Sequence, residues 1–263
     1  VVLGTINLPP AGLLAPPDGA TLGLINQGLA DGWPRHLRAA DDTWFALGLR
    51  PRVLVHHTGR LPANELGPKP DILDPRFKGR FGMARPEFGT TRGHVALIYA
   101  AMGPERFGAF ARGLRENRTH LYDGNASVVR AVAMGEIDLG LTDFDDVVSG
   151  QRNNWPVAAL ARFEPGPTAS TPGSVGLVKG GPNPTGAAKL LVHALSPATE
   201  QALLESDFRA IPVRRALFDA GAPWLPPGAT PADVPGPDAP DWAAAAANVD
   251  AALAALEKAL GAG

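Results

Sequence analysis

Asp123-Gly-Asn-Ala-Ser-Val-Val-Arg-Ala-Val-Ala-Met-Gly-Glu-Ile-Asp-Leu-Gly-Leu-Thr-Asp143 reads as a turn, a helix and a strand in succession. The turn is Asp123-Gly124, and the helix starts at Asn125 or Ser127 and runs to Met134. Val128, Ala131 and Val132 share one face of it. Gly135 supplies the stop that a left-handed C-terminal position demands. Ile137 to Leu141 is then a short apolar run of buried-strand character. His120 to Tyr122, just upstream, is a further short strand, so the stretch is a strand-helix-strand unit.

Working outward, the same alternation recurs. Phe81 to Ala84, Val157 to Ala161 and Val175 to Val178 read as strands, and Arg52-Val-Leu-Val-His-His57 is another. Val95, Ile98, Tyr99 and Met102 fall at helical spacing. Phe107, Phe110, Ala111 and Leu114 repeat it after the Gly103-Pro104 break. Strand-helix alternation at this spacing predicts an α/β fold with a largely parallel sheet. Pro184 to Leu195 and Pro197 to Ser206 are helices with proline at their starts. Residues 222–240 hold seven prolines and read as a connector. Trp242 to Leu260 reads as a final helix. Its stripe of Val249, Leu253, Leu256 and Leu260 has to dock on another surface.

Composition bounds the function. The 263 residues are 45% apolar and 19% charged, too apolar for a disordered chain. Nothing approaches the roughly 18 apolar residues of a membrane span. With 24 basic and 26 acidic residues and no basic block, nucleic acid is not an expected partner. There is no cysteine, which excludes disulfides, thiolate metal sites and thiol nucleophiles. The chain begins Val1-Val2-Leu3-Gly4, without the charged n-region and apolar run of a signal peptide.

Three loops carry candidate chemistry. Phe88-Gly-Thr-Thr-Arg-Gly-His94 follows a strand and opens a helix, so Gly89, Thr90 and Thr91 can cradle an anion at a helix N-terminus. The plainer reading is a threonine N-cap. Asn125 and Ser127 stand at a second such opening, where a turn with a cap is again the plainer reading. Ligands of open α/β sheets collect outside the carboxyl ends of the strands, which favours using both loops together. Asp143-Phe-Asp-Asp146 follows the Ile137 to Leu141 strand. Three carboxylates in four residues suit a hard cation or an ammonium group. They equally suit the first turn of a helix, stabilised by its dipole. Successive residues of a helical turn lie about 100° apart, so Asp143 and Asp146 are expected to share a face and the third to turn away. His56 and His57 lie on opposite faces of a strand. No G-x-S-x-G elbow is present, so no hydrolase nucleophile stands out.

In combination the segments resemble a known family. Asp71-Ile-Leu-Asp-Pro-Arg-Phe-Lys-Gly-Arg80, Met83-Ala-Arg-Pro-Glu-Phe-Gly-Thr-Thr91, the Asp123 to Asp143 stretch, Val175-Gly-Leu-Val-Lys-Gly-Gly-Pro-Asn-Pro184 and Leu195-Ser-Pro197 occur in that order. The chain is similar to the ferric-iron class of bacterial solute-binding proteins that feed ABC importers. The resemblance runs from about Gly12 to the C-terminus. It implies a two-lobed type 2 periplasmic-binding-protein fold with ligand in a cleft. Lobe 1 would comprise 1–57 and 168–263, with the last helix docked on it, and lobe 2 would comprise 58–167. The Val53 to His57 strand and the Phe163 to Gly173 stretch would be the crossings.

The family opens with about two further strand-helix units, roughly 60 residues, which leaves lobe 1 incomplete here. In iron-binding members adjacent tyrosines follow the strand that Ile137 to Leu141 matches. Those positions fall on Asp145 and Asp146, and the chain has only Tyr99 and Tyr122. The resemblance therefore implies a non-enzymatic, periplasmic or extracellular, monomeric subunit that delivers cargo to importer membrane subunits. Gly89, Thr90, Thr91, Asn125, Ser127 and Asp143 would bind ligand, and Asp145 and Asp146 would bind metal. Two cargoes fit: Fe(III) or another metal with a synergistic anion, or a zwitterion such as an aminophosphonate. The alternatives are a metal-dependent hydrolase using Asp143 to Asp146 and a truncated remnant that binds nothing.

Overall fold

The computed structural model describes residues 2–4, 12–29, 33–87, 89–165, 169–206, 210–220 and 242–261. Its strands are β1 (Val2–Gly4), β2 (Leu14–Ala15), β3 (Trp44–His57), β4 (Phe81–Ala84), β5 (His120–Tyr122), β6 (Leu139–Asp143), β7 (Val157–Leu160) and β8 (Ser170–Val178). The helices are α1 (Gly19–Gly28), α2 (Ala63–Leu66), α3 (Gly89–Glu116), α4 (Asn125–Ala133), α5 (Phe144–Arg152), α6 (Pro184–Ala194), α7 (Pro197–Glu205), α8 (Arg215–Asp219), α9 (Trp242–Ala247) and α10 (Val249–Leu260). The chain divides into two compact units. Unit 1 is residues 1–50 and 170–239, and unit 2 is residues 51–169 and 240–263. The proline-rich connector expected at 222–240 lies outside the described residues, as does Phe88.

In unit 1, β1 and β2 both pair antiparallel with β8. Ile25, Leu29, Phe45, Val175, Leu191 and Leu195 form its core. Its helices start where their caps dictate. Asp18 accepts from the Thr21 N–H at 2.7 Å, and Asn183 and Ser196 cap α6 and α7 just ahead of Pro184 and Pro197.

A strand order of β5-β4-β6-β3-β7 runs through unit 2. β4, β5 and β6 are parallel, but the Arg52–His57 half of β3 runs antiparallel to β6, and β7 antiparallel to β3. The sheet is thus mixed, where the sequence suggested a largely parallel one. Antiparallel pairing needs no helical crossover, so strand-helix alternation alone does not announce it. Val53, Val55, Val128, Val132, Phe144 and Val147 fill the core between sheet and helices. Gly140 makes this layer possible: a Cβ there would lie 2.4 Å from Val128 Cγ1, so glycine lets α4 settle onto β6.

Two expectations change. The C-terminal helix is broken at Asn248 into α9 and α10. It packs on α3 and belongs to unit 2, although the sequence reading assigned it to lobe 1. Val249, Ala252 and Leu256 are buried in that docking, and Arg92 of α3 lies 3.6 Å from Asp250. An apolar stripe states that a helix must be covered, but not by which neighbour. The expected Gly103-Pro104 break is present: Gly103, at φ 76° and ψ 166°, leaves the helical conformation and divides α3 into two helical segments.

Candidate functional site

Parallel β4, β5 and β6 end at one edge of unit 2, and a helix opens after each of them. The N-termini of α3, α4 and α5 therefore gather at that carboxyl edge. β3 runs the other way and brings Arg52 there, in register with Asp143. Arg52 is fully buried. It is the residue that sequence reasoning missed.

Arg52 centres a buried hydrogen-bond network in which its Nε alone of the guanidinium nitrogens makes no hydrogen bond. Its Nη1 donates to Asp143 Oδ1 at 2.7 Å, and to Thr90 Oγ1 and Asn125 Oδ1 at 3.1 Å each. Its Nη2 donates to Thr91 Oγ1 at 3.3 Å. Thr90 Oγ1 donates to Asp143 Oδ2 at 2.7 Å and accepts from Asn125 Nδ2 at 2.8 Å. Asn125 Nδ2 also reaches Asp143 Oδ2, at 2.9 Å. Thr142 Oγ1 fixes the start of α4 by donating to the Asn125 carbonyl at 3.1 Å. The Thr90 hydroxyl has one proton and two lone pairs, and the network uses all three.

The sequence-predicted residues divide on this geometry. Thr90, Thr91, Asn125 and Asp143 come together. Gly89 is exposed at φ +67°, a left-handed conformation that favours glycine, and no hydrogen bond of the network includes it. Ser127 is exposed on α4, and the network does not include it either. The expected external anion has a rival already in place: the Thr90 hydroxyl and the Asn125 amide point at the Asp143 carboxylate. Sequence reasoning found the cradle but not its occupant, because the same donors suit a carboxylate from inside or outside the chain.

One carboxylate oxygen from each of Asp143, Asp145 and Asp146 lies within 4.8 Å of the others, a spacing at which three side chains can share one cation. The helical-wheel argument takes all three as first-turn residues, but Asp143 is the N-cap of α5, at φ −96° and ψ 150°, and not a member of its first turn. Its side chain makes no capping bond, and it spends both oxygens on the network. Asp145 and Asp146 are acidic residues of the first turn, half-buried. Arg52 offsets the charge of Asp143, and the positive end of α5 favours acidic residues in its first turn.

Neither tyrosine joins this cluster. Tyr99 packs edge-on against Phe107, with centroids 5.1 Å apart, and Tyr122 stacks on His120. His56 is a core residue, its Nδ1 2.8 Å from the Leu61 carbonyl, and burial pushes its pKa below the ordinary histidine value. His57 Nδ1 accepts from the Gly59 and Arg60 N–H groups.

Solved structures share this architecture across nearly the whole chain. Iron-bound HitA from Pseudomonas aeruginosa superposes with a TM-score of 0.76 at 22% identity, covering 97% of this chain and 78% of HitA. The fold is that of the type 2 periplasmic binding proteins. AfuA from Actinobacillus pleuropneumoniae, with fructose-6-phosphate bound, reaches 0.75 at 16% identity over 99% of this chain and 82% of its own. In sequence, the chain is similar to iron uptake protein A1 of Synechocystis sp., 26% identical over 204 residues, or 72% of this chain. The match spans 56% of that relative's length. No protein-family model matches the sequence. Among the described residues no helix is long and apolar enough to cross a membrane.

Proposed function

We propose that this chain is the cargo-binding subunit of a bacterial ABC importer. It works in the periplasm or outside the cell, without catalysis and as a monomer, and passes its cargo to the importer's membrane subunits. The cargo is a hard cation, with Fe(III) first in line. The observation that carries this reading is the pair Asp145 and Asp146, each with an oxygen within 4.8 Å of the other's and of one from Asp143, at the carboxyl edge of a binding-protein fold. Similarity to iron uptake protein A1 supports the same reading.

Asp145 and Asp146 take the role that adjacent tyrosines take in the family this chain resembles. Carboxylates are hard oxygen donors, as phenolates are, and they accept Fe(III) while discriminating less among metals. An aminophosphonate is disfavoured, because its phosphonate would need the donors that Asp143 already holds. A native mass spectrum of freshly purified protein tests the reading. The expected spectrum carries the mass of one metal ion, lost on chelation. A small organic mass, surviving chelation, would sink it.

A further inference from the structure

The donors expected to bind an external anion are already bound to one. Arg52 and Asp143 are both buried, and no oxygen of Asp143 is left without a partner. A buried guanidinium requires a counter-anion, since removing one partner of a buried pair leaves an uncompensated charge. Asp is also among the best N-cap residues, yet this N-cap makes no capping bond and faces Arg52. The local preference of the residue has been set aside for the charge pair.

We propose that the Asp143 carboxylate is a built-in anion, so that the site takes its cation without a companion anion and excludes phosphate and carboxylate ligands from the Arg52 seat. The proposal rests on the cation-binding reading for what the seat serves. It rests on the network alone for what the seat contains. An incoming oxyanion would have to displace a tethered carboxylate that is always present at high effective concentration. It would also bring negative charge beside Asp145 and Asp146, within 4.8 Å of the carboxylate it replaces.

The test is a gain of binding. Inorganic phosphate is titrated into metal-free wild type and Asp143→Asn at constant ionic strength, followed by calorimetry and by melting temperature. Asn keeps the shape but withdraws the charge, leaving Arg52, Thr90 and Asn125 to an external anion. Wild type is expected to show no saturable phosphate binding. Asp143→Asn is expected to bind at least about tenfold more tightly than any residual wild-type binding, with a rising melting temperature. If Asp143→Asn fails to fold in plain buffer, its refolding yield on adding phosphate is the readout, and recovery is expected. Saturable phosphate binding by wild type overturns the proposal, as does an Asp143→Asn protein that neither binds phosphate nor is recovered by it. No metal is present in these titrations, so failure of the cation reading would leave their outcome intact.

Discussion

Two buried arginines, Arg52 and Arg214, each pair with a buried carboxylate, and their other partners differ. In unit 1, Arg214 pairs with Glu200, and its Nη2 donates to the Leu195 carbonyl at 2.9 Å and the Gly28 carbonyl at 2.6 Å. Those carbonyls close α6 and α1, where a cation is stabilised by the helix dipole. Trp33 lies under its guanidinium at 5.1 Å. In unit 2, Arg52 meets the starts of α3, α4 and α5, where a cation is opposed by the same dipoles. Arg214 is where stability alone would place an arginine. Arg52 is held against local electrostatics by Asp143, the pairing on which the proposed built-in anion rests.

The difference is open to breakage. Glu200→Gln strips the charge partner from Arg214 and is expected to cost about 3–5 kcal/mol in urea unfolding. Added phosphate should recover none of it, because the Gly28 and Leu195 carbonyls already take the Arg214 Nη2. Recovery by phosphate would show that any buried arginine in this chain attracts anions, and the contrast would collapse. Asn125→Ala removes a donor to Asp143 and an acceptor from Arg52, and about 1–3 kcal/mol of stability should go with them. No loss would mean that the seat is held by Arg52 and Thr90 alone.

A third ion pair sharpens the contrast. Asp138, near the other end of β6, is buried, while its partners Arg60 and Arg80 reach it from half-exposed positions, with Arg60 Nε at 2.6 Å. Burial raises the Asp138 pKa, but hydrogen bonds from Arg80 and Arg60 outweigh it and hold the pKa below the ordinary carboxylate value. A lowered folded-state pKa adds stability above the unfolded-state value and loses it as pH falls through the folded one. Wild type is thus expected to lose stability on acidification below the ordinary carboxylate range. Asp138→Asn should lose less over that window, as urea midpoints at each pH will show. Ser127→Ala is expected to change stability by no more than about 0.5 kcal/mol, and metal affinity not at all. Any larger effect would return Ser127 to the site.

Much of unit 2 was legible because its elements follow strong periodicity. The Asp123 to Asp143 stretch folds as turn, helix and strand, close to the bounds its apolar spacing set. β3 was legible only from Arg52 onward, because Gly48 and Pro51 interrupt the Trp44–Arg50 half. Gly48 is explained by a close approach that no local pattern signals: a Cβ there would stand 2.8 Å from that of Ala210. Thr90, Thr91 and Asn125 were found by their place ahead of helices. Arg52 was not, because its meaning depends on a register with Asp143, 91 positions away. A lone arginine opening an apolar strand was the available signal.

On the proposed reading Asp145 and Asp146 hold a cation beside a seat that Asp143 fills. Calorimetric titration of wild type, Asp145→Ala and Asp146→Ala with ferric citrate probes that arrangement. Each variant is expected to bind iron at least about tenfold more weakly than wild type, with folding intact by circular dichroism. Unchanged affinity in both variants would contradict it and remove the aspartates from the site.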